Sequence, residues 1–180
     1  SPQLSIAKTN ELILKDKVFA LVGPLGTANF TAVHKSVGIA RRGVPSLFLN
    51  TGFSGFSNKR SYPTSFMILP SYAMEAKIVA QFLKENFAGK KLGLVYQNDE
   101  FGIDGLGAFR AAGTKFDVTV PYTSGTQSAA TAQTWVSQLA AGGVQVVVFF
   151  GVTSATAPLL GVAAAAKYAP QWILGSVGAD

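Results

Sequence analysis

The stretch Val18–Asn29, VFALVGPLGTAN, decides the fold. Five apolar residues, Val18 to Val22, have the length of a buried strand. Gly23-Pro24 cut the run off, Leu25-Gly26-Thr27 turn the chain, and helical spacing follows. A strand, a tight loop and a helix start in that order bring backbone N–H groups to the positive end of a helix, where a carboxylate or another small anion is favoured. Gly26 permits close approach and Thr27 adds a hydroxyl. The same residues also suit a plainer purpose, with Gly23 turning the chain and Thr27 capping the helix, and the sequence leaves both readings open. The loop is not GxGxxG and lacks the GKS or GKT ending of a phosphate-binding loop, which argues against a nucleotide.

Outward from this stretch the chain alternates. Pro2 to Asp16 reads as a helix with Ser1 at its N-cap and Pro2 at its first position. Val18 to Val22 is the first strand, Asn29 to Arg42 a helix closed by Gly43, and Val44 to Leu49 the next strand, ending in Asn50-Thr51-Gly52-Phe53-Ser54-Gly55. Ser57 to Ser61 is a polar loop and Ser65 to Pro70 is extended. From Ala73 to Phe87 a helix carries Met74, Ile78, Val79, Phe82 and Leu83 as its apolar face. The alternation then restarts with strand Leu92–Tyr96, helix Phe101–Ala112, strand Phe116–Tyr122, helix Ala129–Ala141, strand Val144–Phe150, the Ala-rich helix Thr156–Ala169 and strand Trp172–Leu174. Helices feeding strands imply parallel sheets with crossovers, an α/β fold. The restart near Ser71 predicts two doubly wound parallel α/β lobes, residues 1–71 belonging to lobe one and 72–180 to most of lobe two. No repeat of fixed period is present.

Composition narrows the function. The chain has 180 residues, 48% hydrophobic and 13% charged, enough apolar content for packed cores. Its net charge of +6 is scattered: Arg41-Arg42 and Lys90-Lys91 are isolated pairs with no basic stripe interleaved with aromatics, so nucleic acid is not an expected partner. No apolar run is long enough to span a membrane. The absence of cysteine removes disulfides and thiol chemistry and fits an oxidising compartment. No signal peptide opens the chain. His34, the single histidine, reads as a solvated helix-flank residue, and one histidine builds no His-based metal site, so no metal or cofactor is expected. Asp99, Glu100 and Asp104 read as the acidic start of a helix rather than a metal cluster or an acid/base pair. Ser54 and Ser71 have no histidine partner in view, and no catalytic residue is expected.

Several segments carry a resemblance. VFALVGPLGT, VPSLFLNTGFS, YPTSFMILPSYAMEA and KKLGLVYQNDEFGIDGLGAF are similar to type I periplasmic solute-binding proteins of the leucine/isoleucine/valine-binding kind, which serve ABC importers. The resemblance covers essentially all 180 residues and implies a bilobed fold closing on a small molecule, of which this chain is a fragment. It implies ligand contacts at Leu25, Gly26 and Thr27 in the first loop and at Gly52, Phe53 and Ser54 in the second. Phe101 follows as the aromatic of the NDEFG segment, and Val152, Thr153, Ser176 and Val177 fall after the later strands. Tyr72 sits at the crossover, either stacking on a ligand or packing at a hinge. The resemblance also implies permease subunits as partners and an extracytoplasmic, periplasmic location, with or without a lipid anchor. One departure bears on the ligand. Where branched-chain amino-acid binders carry an acid for the ligand ammonium, this chain reads Ser176-Val177, so an aromatic or aliphatic acid without an α-ammonium rivals a branched-chain amino acid. A sensory domain of a receptor or repressor is the alternative use of such a fold, and an enzyme of the open α/β class is the third. Gly26, Thr27, Gly52, Phe53, Ser54, Tyr72 and Phe101 are expected to line one cleft, because parallel topology brings strand ends to the same side.

Overall fold

The computed structural model describes residues 1–180, which divide into two compact units, Ser1–Met74 and Glu75–Asp180. Each unit holds its own parallel sheet.

In the first unit the sheet order is β1 (Leu21–Val22), β2 (Ser46–Leu49), β3 (Ser65–Met67), all parallel. Helix α1 (Pro2–Asn10) runs on as a wider π turn, Glu11–Lys15, and packs beside α2 (Thr27–Val37). The first strand is shorter than the apolar run predicts. Lys17 adopts φ 52° and the Val18 N–H still donates to Leu12 O (3.1 Å), so the chain is leaving the helix until the Leu21 N–H reaches Pro45 O (2.8 Å). Phe19, expected inside, is 87% exposed. Helix α2 also stops early: Gly38 takes the left-handed conformation (φ 69°) that ends helices at low cost, five residues before Gly43. Phe30, Val33 and Val37 of α2 pack with Ile13, Leu21, Leu49 and Phe56 to form this unit's core.

In the second unit the order is β5 (Val118–Tyr122), β4 (Leu92–Gln97), β6 (Val146–Phe150), β7 (Gln171–Leu174), again all parallel. The central strand β6, VVVFF, is buried at every position, as a strand covered on both faces must be. Val147 and Phe149 meet Trp135, Val136 and Leu139 of α5 (Ala129–Ala141) and Ala155, Leu159 and Ala163 of α6 (Thr153–Ala165). On the other face, the Phe150 ring lies against Phe101 and Phe109 of α4 (Glu100–Ala111), at 5.0 and 6.0 Å between centroids. Gly105 allows that approach, since a Cβ there would lie 2.4 Å from the Phe150 ring. A four-residue helix, α7 (Ser176–Ala179), which the sequence pattern does not predict, follows β7.

Helix α3 (Tyr72–Asn86) departs from its predicted face. Tyr72, Ala76, Ala80 and Leu83 are the buried positions, spaced i, i+4, i+8, i+11, while Met74, Ile78 and Phe82 are 55%, 64% and 46% exposed. Of the predicted face Leu83 alone is buried, and Ala76 and Ala80 point inward in place of the larger residues. Helix α6 also begins earlier than predicted, at Thr153, directly after the extended Val152.

Candidate functional site

In each unit the residues singled out from the sequence lie on loops at the carboxyl ends of parallel strands. In the first unit the loops after β1, β2 and β3 are bonded to one another through backbone groups. Gly26 N–H donates to Asn50 O (3.2 Å), Asn50 N–H to Pro24 O (2.8 Å), Ile68 N–H to Leu49 O (3.2 Å) and Tyr72 N–H to Gly52 O (2.7 Å). Gly26 is the N-cap residue of α2 at φ 94°, a conformation that favours glycine. No side chain caps the start of α2, so its first N–H groups are not taken by a capping oxygen. Gly52 is required for a different reason, close packing, because a Cβ there would stand 2.6 Å from Pro70 O and 2.7 Å from the Tyr72 ring.

Thr27 is buried at the first position of α2, and its Oγ1 lies 2.7 Å from Thr51 Oγ1. Thr51 also accepts from Phe53 N–H (3.2 Å) and donates to Tyr72 Oη (3.3 Å). Tyr72 is itself buried, and the Phe53 ring packs edge-on against Phe56 at 4.9 Å. Ser54 opens the 3-10 turn Ser54–Ser57. Leu25 is exposed and bridges to Asn50. Thr27, the Phe53 amide and Tyr72 thus meet at one buried hydroxyl, that of Thr51, which is not among the contacts expected from the sequence.

The second unit has a longer relay. Val152 N–H donates to Tyr122 Oη (3.0 Å), Tyr122 O–H to Gln97 Oε1 (3.3 Å), and Gln97 Nε2 to Asp99 Oδ2 (2.6 Å). The other Asp99 oxygen accepts from Phe101 N–H (3.1 Å) and Gly102 N–H (3.4 Å), capping α4 as the acidic helix start predicts. The Asp99 carboxylate only accepts, so the Gln97 NH2 faces it and Gln97 Oε1 faces the Tyr122 O–H, while the Val152 amide only donates; together the two ends fix the direction of every bond in this relay. Burial, the largest influence on the Tyr122 phenol, pushes its pKa up to about 12, so it stays a neutral donor. Phe101 and Val152 are thus held through one chain of bonds that crosses three strand ends.

The remaining residues sit at the next two loops. Thr153 O–H donates to Val177 O (3.0 Å) and Thr156 O–H to Gly178 O (2.7 Å), tying the loops after β6 and β7 together. At Ser176, where an acid is absent from the sequence, one arrives from elsewhere: Glu75, on the first turn of α3, accepts Ser176 N–H (2.6 Å) and Ser176 O–H (3.0 Å). It makes no ion pair with any lysine or arginine. Glu75 is 101 positions away in the chain, and no local pattern points to the pairing.

His34 corrects the sequence reading. It is no solvated flank residue: its ring lies 4.3 Å from the Tyr62 ring and 6.4 Å from that of Phe30, and its buried Nε2 has no hydrogen-bond partner. Desolvation holds its pKa below the usual histidine value. No helix is long and apolar enough to cross a membrane.

The parallel α/β units with their chemistry at the strand ends define the architecture of a type I periplasmic binding protein. A family model described as periplasmic binding protein matches residues 1–180, and the chain belongs to that family, of the leucine/isoleucine/valine-binding-protein-like kind. No curated protein matches the sequence. Among solved structures, a substrate-binding periplasmic protein from Ralstonia solanacearum is similar over 97% of this chain and 48% of its own, at 21% identity and a TM-score of 0.84. The solute-binding protein of an ABC transporter from R. palustris, in complex with 4-hydroxybenzoate, is similar over 99% of this chain and 48% of its own, at 19% identity and a TM-score of 0.83. The chain spans about half the length of these structures, and at such identities the likeness concerns the fold.

Proposed function

We propose that the chain is part of the extracytoplasmic solute-binding protein of an ABC importer, with residues 1–71 in one lobe and 72–180 in most of the other. It delivers a small hydrophobic carboxylate, a branched-chain amino acid or a related compound, to permease subunits from the periplasm. The observation that carries this reading is the gathering of loops at the carboxyl edge of each sheet. In the first unit, the uncapped N–H groups of α2 and the hydroxyls of Thr27 and Ser54 are the groups proposed to take the carboxylate. Phe53, Tyr72, Phe101 and Val152 are proposed as apolar surface for its tail. Contacts from Leu25, Gly26, Gly52, Thr153, Ser176 and Val177 complete the proposed set.

Two features bear on whether the ligand also carries an ammonium. Glu75, a carboxylate bonded to Ser176 and in no ion pair, supplies a negative charge at the loop where the sequence has Ser176-Val177, and this favours an amino acid. The 4-hydroxybenzoate bound to the R. palustris protein keeps an acid without an α-ammonium as the second reading. The test is a thermal-shift screen of the full-length protein against leucine, isoleucine, valine, 4-methylpentanoate and 4-hydroxybenzoate. A true ligand at a hundred times its Kd stabilises by about 2.7 kcal/mol, an easily read shift. No shift with any of the five at millimolar concentration would contradict the proposal.

A further inference from the structure

We infer that Thr51, which is not among the proposed ligand contacts, is the positioning residue of the first unit's site. This rests on the carboxylate reading above. Thr51 is 1% exposed, and its hydroxyl reaches three separate site segments: Thr27 on the β1 loop, Phe53 on the β2 loop and Tyr72 after β3. A hydroxyl has one proton and two lone pairs, so these three partners use its whole capacity. Phe53 N–H takes one lone pair by necessity. The remaining lone pair and the proton are shared between Thr27 and Tyr72, and they can be assigned in two ways.

With Thr51 donating to Tyr72, Thr27 must donate inward to Thr51, and its own proton is spent. With the hydroxyls rotated the other way, Tyr72 donates to Thr51, Thr51 donates to Thr27, and Thr27 keeps its proton for an anion. Hydroxyl hydrogens rotate to suit their surroundings, so an incoming carboxylate draws the relay into the second arrangement. Thr51 thereby does two things. It fixes the Gly52-Phe53-Ser54 loop through the Phe53 amide, and it lets the buried Thr27 act as a donor without leaving a polar atom unpaired.

The test compares Thr51→Val, which removes the hydroxyl at nearly constant shape, with Thr51→Ser, which keeps it, in the full-length protein. Two readouts are used. Amide exchange at Phe53 should accelerate about tenfold in T51V, the effect of losing one buried hydrogen bond, and remain native in T51S. The amide of Ser46, bonded to Thr64 O in the same sheet, serves as the unchanged reference. Titration with leucine and with 4-hydroxybenzoate should show about tenfold weaker binding of whichever probe the parent binds in T51V, and native affinity in T51S. Native Phe53 exchange in T51V overturns the inference, as does native affinity in T51V when Thr27→Ala weakens binding. A tenfold loss in T51S with native exchange also overturns it, and that arm survives a failure of T51V to fold. If the parent binds neither probe and none of the other three acids of the thermal-shift screen, the carboxylate reading fails, and the Phe53 exchange rate alone decides whether Thr51 positions the loop.

Discussion

The two strand edges are built differently. At the first, neutral hydroxyls and packed rings hold the loops, and β1 contributes only two residues to the sheet. At the second, a fully buried strand lies under the loops and a carboxylate anchors the relay that spans them. Hydrogen bonds to an ionised group contribute about 1.5–3 kcal/mol against about 1 kcal/mol for neutral pairs, so the second edge is the stiffer platform and the first the more adjustable one. That difference orders the expected effects of substitution.

The largest effect belongs to Gly102. A Cβ there would lie 1.8 Å from Gln97 O, backbone against backbone, so Gly102→Ala should cost more than about 4 kcal/mol and prevent the second unit from folding. Gly52→Ala meets Pro70 O at 2.6 Å and the Tyr72 ring at 2.7 Å, and some of that contact is side chain that can move. Its cost should be about 1–3 kcal/mol. Denaturant unfolding of both variants, followed by site-resolved exchange, checks the order; an equal loss in the two would erase the contrast between the edges.

Next come the members of the relay. Asp99→Ala removes the cap of α4 and the anchor of Gln97, for an expected loss of about 1–2 kcal/mol. Tyr122→Phe leaves Val152 N–H and Gln97 Oε1 without their partner, at about 1–3 kcal/mol, and exchange at Val152 should rise with it. The phenol gives a second reading. Its pKa is raised in the folded protein from the ordinary 10 to about 12, so its contribution is complete below pH 10 and is lost as pH rises toward 12. The thermal midpoint of the parent should fall more steeply than that of Tyr122→Phe above pH 10.

The smallest expected effect is at His34. Its folded pKa is depressed, so the unfolded state binds the proton more readily. Stability is complete above about pH 6.5, the ordinary histidine value, and declines as pH falls below it. His34→Phe should flatten that decline in thermal scans between pH 7.5 and 5. An identical slope in parent and variant would show that His34 is hydrated after all.

Much of the fold was legible in the sequence because strand, loop and helix succeed one another with apolar runs of the right length, and VVVFF can only be a buried strand. Errors came where tertiary packing overrides periodicity. In α3 the large residues looked like the core face, yet Ala76 and Ala80 are buried in their place. At β1, five apolar residues looked like a strand, but the helix unwinds through Lys17 and Val18 before the ladder begins. The loops that carry the candidate contacts were legible from their glycines and hydroxyls. Their supports were not: Thr27 and Thr51 are 24 positions apart, Gln97 and Tyr122 are 25, and Glu75 and Ser176 are 101. Such pairings leave no trace in local spacing.

The central claim is that the strand-edge hydroxyls of the first unit hold a ligand carboxylate. Calorimetric titration of full-length Thr27→Ala and Ser54→Ala with the probe that the parent binds tests it most directly. Loss of one hydrogen bond to a charged carboxylate predicts about ten- to a hundredfold weaker binding in each variant. Affinity unchanged in both would contradict the account.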